Sequence, residues 1–145
     1  MTLKSMKAIW CADMISIHEK VQEKIDVSIE LSDKVNLLLG DSVLLNMFVL
    51  PLIEEKYKIN YRVSYCSVNT FWKDIVKSAE NSDILLLENA DLYMSEEKYK
   101  ALSSYKSVVV ASIKEYNYNV IKGMGRYLVE NTKVTEVVSK RVDIK

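Results

Sequence analysis

The sequence predicts an α/β fold: a three-layer, mostly parallel sheet flanked by helices, with antiparallel strands at its N- and C-terminal ends. Three short runs, "VNLLLG" (35–40), "DILLLEN" (83–89) and "SVVVASI" (107–113), are apolar at almost every position. A strand that is apolar on both faces is typical of the buried centre of a parallel sheet. Helical patterns between the runs supply the crossovers that parallel strands need. "INYRVSYCSV" (59–68) is predicted as a further strand.

The two ends of the chain carry strands of a different pattern. "KAIWCADMISI" (7–17) and "KIDVSIELS" (24–32) flank a charged turn, "HEKVQE". In the second strand, apolar residues alternate with polar ones, at Ile25, Val27, Ile29 and Leu31. This period of two indicates antiparallel strands with one polar face. At the other end, "RYLVEN" and "KVTEVVSKRV" are predicted to form a hairpin across Asn131 and Thr132.

Two crossover helices have recognisable starts. "NTFWKDIVKSAEN" (69–81) is predicted as a helix capped by Asn69 or Thr70. Its apolar face is predicted to contain Phe71, Ile75, Val76 and Ala79. "SEEKYKALSSY" (95–105) is predicted as a helix capped by Ser95, with acidic residues in its first turn.

Composition limits the class of protein. At 145 residues and 49% apolar composition, we expect a single domain over residues 1–145. Twenty basic residues balance twenty acidic ones, without blocks, so there is no clear footprint for nucleic acid. No apolar run approaches the roughly 20 residues of a membrane span. Cys11 and Cys66 have neither C-x-x-C spacing nor histidine partners, so we expect reduced thiols and a cytoplasmic protein.

The segments "LLLGDS" and "DILLLENADLY" resemble the P-loop ATPase domains of the ABC or AAA-like kind. The first motif of that family, Walker A, is G-x-x-x-x-G-K-[ST]; its backbone N–H groups and lysine hold phosphate, and its hydroxyl ligates magnesium. Gly40 matches the first glycine. Leu45, Asn46 and Met47 stand where the second glycine, the lysine and the hydroxyl residue belong.

The second motif, Walker B, also departs from the family pattern. Residues 84–87 match its apolar strand, but Glu88 replaces the aspartate that holds magnesium and Asn89 replaces the glutamate that orients water. The resemblance therefore implies the fold more strongly than the chemistry.

The substitutions predict badly weakened nucleotide binding. Leu45 would place a side chain where backbone must approach phosphate, Asn46 carries no charge, and Met47 is a poor ligand for a hard cation. We expect no cofactor, and Gly40, Asp41, Ser42 and Asn46 to form a vestigial phosphate loop. As an alternative, Asp41 and Ser42 simply cap the following helix.

These observations favour a non-catalytic, pseudo-ATPase-like scaffold or regulator that binds another protein, without catalytic residues; whether it forms an oligomer is left open. The polar aromatic segment "YNYN" (116–119) is a candidate contact surface. The alternative is an ATPase or GTPase whose atypical loop is completed by a partner or by Lys122 or Arg126. In that case ATP or GTP would bind with magnesium held by Glu88 and Asp91.

Two further residues bear on the helix after Gly40. Pro51 in the middle of a helix would cost about 3 kcal/mol, whereas a helix could restart there with Pro51 at its first position. "GDS" also matches the nucleophile segment of GDS-type esterases, with Ser42 as nucleophile. The sole histidine, His18, lies far upstream in a charged turn, which disfavours that chemistry.

Overall fold

The structure is a computed structural model, and it describes residues 6–16, 21–33, 35–114, 130–137 and 139–143. The strands in chain order are β1 (Met6–Ser16), β2 (Val21–Leu31), β3 (Val35–Gly40), β4 (Val63–Cys66), β5 (Ile84–Leu87), β6 (Val108–Lys114), β7 (Thr132–Glu136) and β8 (Ser139–Asp143). The helices are α1 (Ser42–Leu44), α2 (Leu50–Tyr57), α3 (Trp72–Asn81) and α4 (Glu96–Leu102). A π-helical segment, Leu45–Val49, joins α1 to α2, and a 3₁₀ turn, Ala90–Leu92, follows β5.

Five strands form a parallel sheet in the order β4-β5-β6-β3-β7. The apolar run of β3 explains its central place, because β6 and β7 cover its two edges and helices cover both of its faces. The expected α/β fold with a mostly parallel sheet is confirmed.

The two faces of this sheet bury separate apolar clusters. Leu38, Leu86 and Val110 pack on the side of the helical segment 42–57, where Leu45, Val49, Leu50 and Ile53 are fully buried. Leu37, Leu85 and Val109 pack on the other side, against residues of α3 and α4 such as Ile75, Ala79, Tyr99 and Leu102. Successive residues of a strand point to opposite faces, so the consecutive leucines of β3 fill both clusters. The result is the expected three-layer arrangement.

A second, three-stranded antiparallel sheet has the order β1-β2-β8. The predicted N-terminal antiparallel pair is confirmed, with Lys7 opposite Glu30 and Asp13 opposite Lys24. No helix among the described residues is long and apolar enough to cross a membrane.

The described part of the predicted C-terminal hairpin pairs with strands elsewhere in the chain. β7 pairs parallel with β3, with Val35 opposite Thr132, and β8 pairs antiparallel with β2. Alternation predicts that a segment forms a strand, but it carries no information on which edge will accept that strand. In this chain the free side of β3 pairs with β7, and the free side of β2 pairs with β8. Residues 126–129 of the predicted hairpin lie outside the described residues.

Two boundaries also differ from the sequence predictions. β4 starts only at Val63, because the N–H groups of Asn60 and Tyr61 bond back to the carbonyl of Tyr57 and prolong the end of α2 as a turn. The helix predicted over 69–81 starts at Trp72, and Phe71 at its N-cap position is 71% exposed instead of packed.

The caps of the two crossover helices have different outcomes. The Thr70 hydroxyl accepts the N–H of Ser67 in the preceding turn, and α3 has no side-chain cap. The predicted Ser95 cap of α4 is confirmed, since its hydroxyl accepts the N–H of Lys98.

Candidate functional site

The candidate site lies at the carboxyl edge of the parallel sheet, where binding sites of open α/β sheets are found. β3 ends at Gly40 and α1 begins at Ser42, so a single residue, Asp41, joins strand to helix. The Asp41 carboxylate accepts the N–H groups of Val43 at 2.9 Å and Leu44 at 3.0 Å. The predicted capping role of Asp41 is confirmed. The N–H groups that a helix start offers to an anion are thus bound to a carboxylate of the chain itself.

Gly40 is required by close packing against the backbone of Val137, the residue that follows β7. A Cβ atom at this position would lie 2.7 Å from the carbonyl oxygen of Val137. The Val137 N–H donates to the Leu39 carbonyl at 2.8 Å, which holds that backbone in place. The first glycine of the motif therefore has a structural role in this chain.

Pro51 lies in the first turn of α2, immediately after the π-helical segment. The Leu50 N–H donates to the Leu45 carbonyl, five residues back. Proline has no N–H to continue either helical pattern, and here a single π turn directly precedes it. The helix therefore continues from α1 into α2 and does not restart at Pro51, and Asn46 lies inside its π segment.

Asn46, at the position of the family's lysine, belongs to a closed ring of three hydrogen bonds. Its Nδ2 donates to Oδ1 of Asn89 at 2.7 Å, and its Oδ1 accepts the Ser112 hydroxyl at 2.6 Å. The Asn89 N–H completes the ring by donating to Ser112 Oγ at 2.8 Å. The ring joins the helix after β3 to the end of β5 and to β6.

Asn89 has left-handed backbone angles, with φ 51° and ψ 47°. Asparagine tolerates this region better than most residues, and such conformations persist where the surroundings fix them. Here both its backbone N–H and its side chain are fixed by the ring. A turn of this hand directly after β5 directs the chain into the 3₁₀ turn.

Glu88, the other residue that follows β5, is bound on two sides. Its carboxylate accepts the Tyr65 hydroxyl at 2.5 Å, and its carbonyl oxygen accepts the Tyr93 hydroxyl at 2.7 Å. Burial, together with the neighbouring Glu88 carboxylate, raises the pKa of Tyr65 far above its usual range. Burial also raises the pKa of Tyr93. Both phenols stay protonated at physiological pH and act as donors to Glu88.

A lysine approaches this cluster from α4. Lys98 Nζ donates to the Tyr93 carbonyl at 2.8 Å and lies 5.5 Å from the centroid of the Trp72 ring. The distance and the ring are typical of a cation–π contact. Lys98 is therefore held between α3 and the 3₁₀ turn.

The predicted site residues are only partly brought together. The structure joins Asn46 to the Glu88–Asn89 corner, while Asp41 and Ser42 lie at the helix start and Asp91 lies within the 3₁₀ turn. Among the described residues, no group of three His, Cys, Asp or Glu side chains could hold a metal ion. The vestigial phosphate loop and the metal role of Glu88 and Asp91 stay predictions.

Other residues of the sequence hypotheses fall outside the described part of the chain. These are His18, whose distant position disfavours the esterase hypothesis, Lys122 and Arg126, the proposed sources of charge, and the aromatic segment 116–119.

Sequence reasoning missed two residues of the site, Ser112 and Tyr65. Ser112 is 1% exposed in an otherwise apolar strand. A lone hydroxyl in a buried strand needs a partner, and that was the available signal. Tyr65 gave no comparable signal, because a tyrosine in a strand is common and its partner Glu88 is distant in sequence.

The sheet order, the helices on both faces and the strand-to-helix turn at Gly40 define an α/β protein of P-loop NTPase-like fold. A crystal structure of a DNA replication initiation factor shares this fold, with a TM-score of 0.53 and 15% sequence identity. The match covers 72% of this chain and 40% of that chain, so this chain spans less than half of its length. No protein-family model and no curated protein matches the sequence. At this identity the likeness shows the fold alone.

Proposed function

We propose that this chain is a non-catalytic domain of P-loop NTPase-like fold that acts by binding another protein and does not use nucleotide. The observation that carries the proposal is the ring of Asn46, Asn89 and Ser112. In this ring Asn46, which stands at the position of the Walker A lysine, and Asn89, which follows β5, bond to groups of the chain itself. A side chain that is already satisfied in this way gains little by turning to a phosphate.

The neighbouring positions support the same conclusion. Leu45 stands where the motif has its second glycine, and it is fully buried in the core. A phosphate therefore cannot approach the backbone at this position as closely as it could at a glycine. Met47 is 67% exposed and offers only a thioether to magnesium. The Asp41 carboxylate at the helix start would repel a phosphate and already occupies two of the donors.

Exposed apolar side chains at the same edge support a protein partner. Val43 and Met47 lie on consecutive turns of the helix after β3, Val68 and Phe71 follow β4, and Leu92 follows β5. Exposed apolar side chains gathered in one patch mark contact surfaces, and we infer that these five, which all follow strands of one sheet, form such a patch. The similar fold of a DNA replication initiation factor makes such a factor the first partner to test.

Nucleotide binding is the first experiment. Titration calorimetry of the purified chain with ATP and GTP, with and without magnesium, should give no heat of binding up to about 1 mM, a regime that detects free energies of roughly −4 kcal/mol. Micromolar, magnesium-dependent binding that is lost in Glu88→Ala would contradict the proposal and support the nucleotide-dependent enzyme. The same variant should be tested for folding by circular dichroism, since Glu88 also holds Tyr65.

Partner binding is the second experiment. The chain should bind a purified DNA replication initiation factor in biolayer interferometry, and Phe71→Ser or Met47→Ser should weaken that binding by about tenfold or more, as loss of an apolar contact residue does. Ile59→Ser is the matched control, because Ile59 is 80% exposed but lies in the turn after α2, before β4 begins. Equal losses in all three variants would show that the carboxyl edge is not the contact surface.

A further inference from the structure

Strand β1 lies at one edge of the antiparallel sheet, and β2 is its one neighbour within the described part of the chain. β1 contains 11 residues and lies at the end of the β1-β2-β8 sheet formed by the described residues. Alternate residues of an antiparallel strand direct their backbone N–H and C=O groups away from the neighbouring strand, so this edge presents a row of donors and acceptors. Proteins usually protect such edges with short strands, prolines or many charges. β1 is long, has no proline and has only two charged residues, Lys7 and Asp13.

The sequence of β1 is self-complementary. If two copies pair antiparallel about a two-fold axis at Trp10, the register places Lys7 of one copy opposite Asp13 of the other, twice in the dimer. Trp10 then lies opposite Trp10, and the pairing runs from Met6 to Met14. Opposite charges and aromatic pairs at opposed positions stabilise strand pairing by about 0.2–1 kcal/mol each.

The charges of β2 extend the same pattern. Within one chain Lys7 lies opposite Glu30 and Asp13 lies opposite Lys24. With the second copy added, each row of opposed residues across the strands alternates in sign. One row contains Asp13 of the second copy, then Lys7, then Glu30. The other row contains Lys7 of the second copy, then Asp13, then Lys24. Like charges would meet nowhere in these rows at the new β1–β1 boundary.

The same register preserves the two faces of the sheet. Opposed residues of an antiparallel pair lie on one face, so a register that keeps the faces pairs even positions with even and odd with odd. The even positions of β1 are mostly apolar, and they lie opposite the apolar positions 25, 27, 29 and 31 of β2. A two-fold axis at Cys11 also preserves the faces, but it places Lys7 opposite Ile15 and Asp13 opposite Ile9. The charges therefore favour the axis at Trp10.

We propose that this chain forms a homodimer by antiparallel pairing of β1 with β1 of a second copy, centred on Trp10, to give a continuous six-stranded sheet. The chemistry that recognises the partner is the pair of Lys7–Asp13 contacts, together with the backbone ladder. This surface is separate from the carboxyl edge of the parallel sheet.

The sharpest test mixes two charge-reversed variants. In a dimer of Lys7→Asp, the new acid lies opposite Asp13 of the other copy. In a dimer of Asp13→Lys, the new base lies opposite Lys7 of the other copy. Each variant should therefore dimerise at least tenfold more weakly than the wild type. An equimolar mixture should regain the dimer, because in the heterodimer both cross-copy pairs are again of opposite sign. Repulsion from Glu30 or Lys24 inside each chain is unchanged by mixing, so it cannot produce that recovery.

Analytical ultracentrifugation provides the readout, with Lys140→Asp as the matched control at the opposite edge of the sheet. The wild type and this control should both be dimeric at about 100 µM, a concentration at which even weak pairing is populated. A folded wild-type monomer at that concentration, or a mixture that stays monomeric, would overturn the proposal.

A cross-link tests the register even if the charge variants fold poorly. Ile9→Cys should form an intermolecular disulfide with the native Cys11 of the second copy, because the register puts these positions opposite each other. In the wild type, the two Cys11 residues are diagonal neighbours at about 7–8 Å and should not cross-link. Two results together would reject the axis at Trp10. These are rapid cross-linking of the wild type through Cys11, and no disulfide between positions 9 and 11 in Ile9→Cys.

Discussion

Asn46 uses both ends of its side-chain amide for hydrogen bonds within the chain. An amide both donates and accepts, so it can satisfy the Ser112 hydroxyl and Asn89 Oδ1 together. A lysine ammonium has three donors and no acceptor. Asparagine and lysine at this position therefore differ both in charge and in the sense of their hydrogen bonds.

Asn46→Lys should destabilise the fold by about 1–3 kcal/mol, because the buried Ser112 hydroxyl loses its acceptor. Urea denaturation followed by circular dichroism measures the loss. Met47→Lys is the matched control: Met47 is exposed, and its replacement should change stability by less than about 0.5 kcal/mol. An Asn46→Lys variant as stable as that control would show that the ring contributes little to folding.

Tyr65 makes the stability of the folded chain depend on pH in the alkaline range. Its pKa is raised in the folded chain, first by burial and then by the Glu88 carboxylate, whereas an unfolded tyrosine has a pKa of about 10. Above about pH 10 the folded state holds more protons than the unfolded state, so stability falls as pH rises. Below that pH the contribution of Tyr65 is fully present.

Tyr65→Phe should therefore cost about 1–2 kcal/mol of stability near pH 8, through the lost hydrogen bond to a carboxylate, and the difference from the wild type should shrink above about pH 10. Urea melts at several pH values measure both effects. Glu88→Gln keeps an acceptor but removes the charge, so it should lower the pKa of Tyr65 in a spectrophotometric phenol titration. A constant difference between Tyr65→Phe and wild type across pH would rule out this linkage.

At the scale of elements, the sequence predicts strands better than it predicts partners. β3 has the predicted bounds because consecutive leucines leave few alternatives to a buried strand, and Gly40 ends it at a close contact. The partners of β7 and β8 were missed because edges of two sheets compete for them. The hydrogen-bonded ring was missed for a related reason: Asn46 and Ser112 are 66 positions apart. Only the folded chain brings them together.

The helical segment 42–57 depends on its cap. Asp41→Ala should cost about 1 kcal/mol, since two N–H groups lose their acceptor, and Asp41→Asn should restore most of that loss because asparagine caps equally well. Urea denaturation of the two variants measures the difference. If both variants lose the same stability, the charge of Asp41 acts on the helix dipole and the side-chain hydrogen bonds contribute little.

At the scale of the whole molecule, the two sheets have different roles in our proposals. The parallel sheet contains the hydrogen-bonded ring at its carboxyl edge and the exposed apolar side chains beside that ring. The antiparallel sheet contains the self-complementary strand β1. Because β2 runs into β3 and β7 into β8 with only short connections, each sheet is tied to the other through two neighbouring strands. A dimer through β1 would therefore present two copies of the carboxyl edge to a partner, which raises the effective concentration of the second contact.

Dimerisation should also appear in the thermal stability of the chain. Unfolding that separates two copies depends on concentration, and a hundredfold increase is equivalent to about 2.7 kcal/mol. For a dimer of this size the melting temperature should rise by roughly 3–6 °C between about 1 and 100 µM. Differential scanning fluorimetry measures this shift. The melting temperature of Lys7→Asp alone should depend less on concentration than that of the wild type, and its mixture with Asp13→Lys should recover the wild-type slope. A wild-type melting temperature that stays constant over this range would mean that β1 pairing contributes nothing to stability in solution.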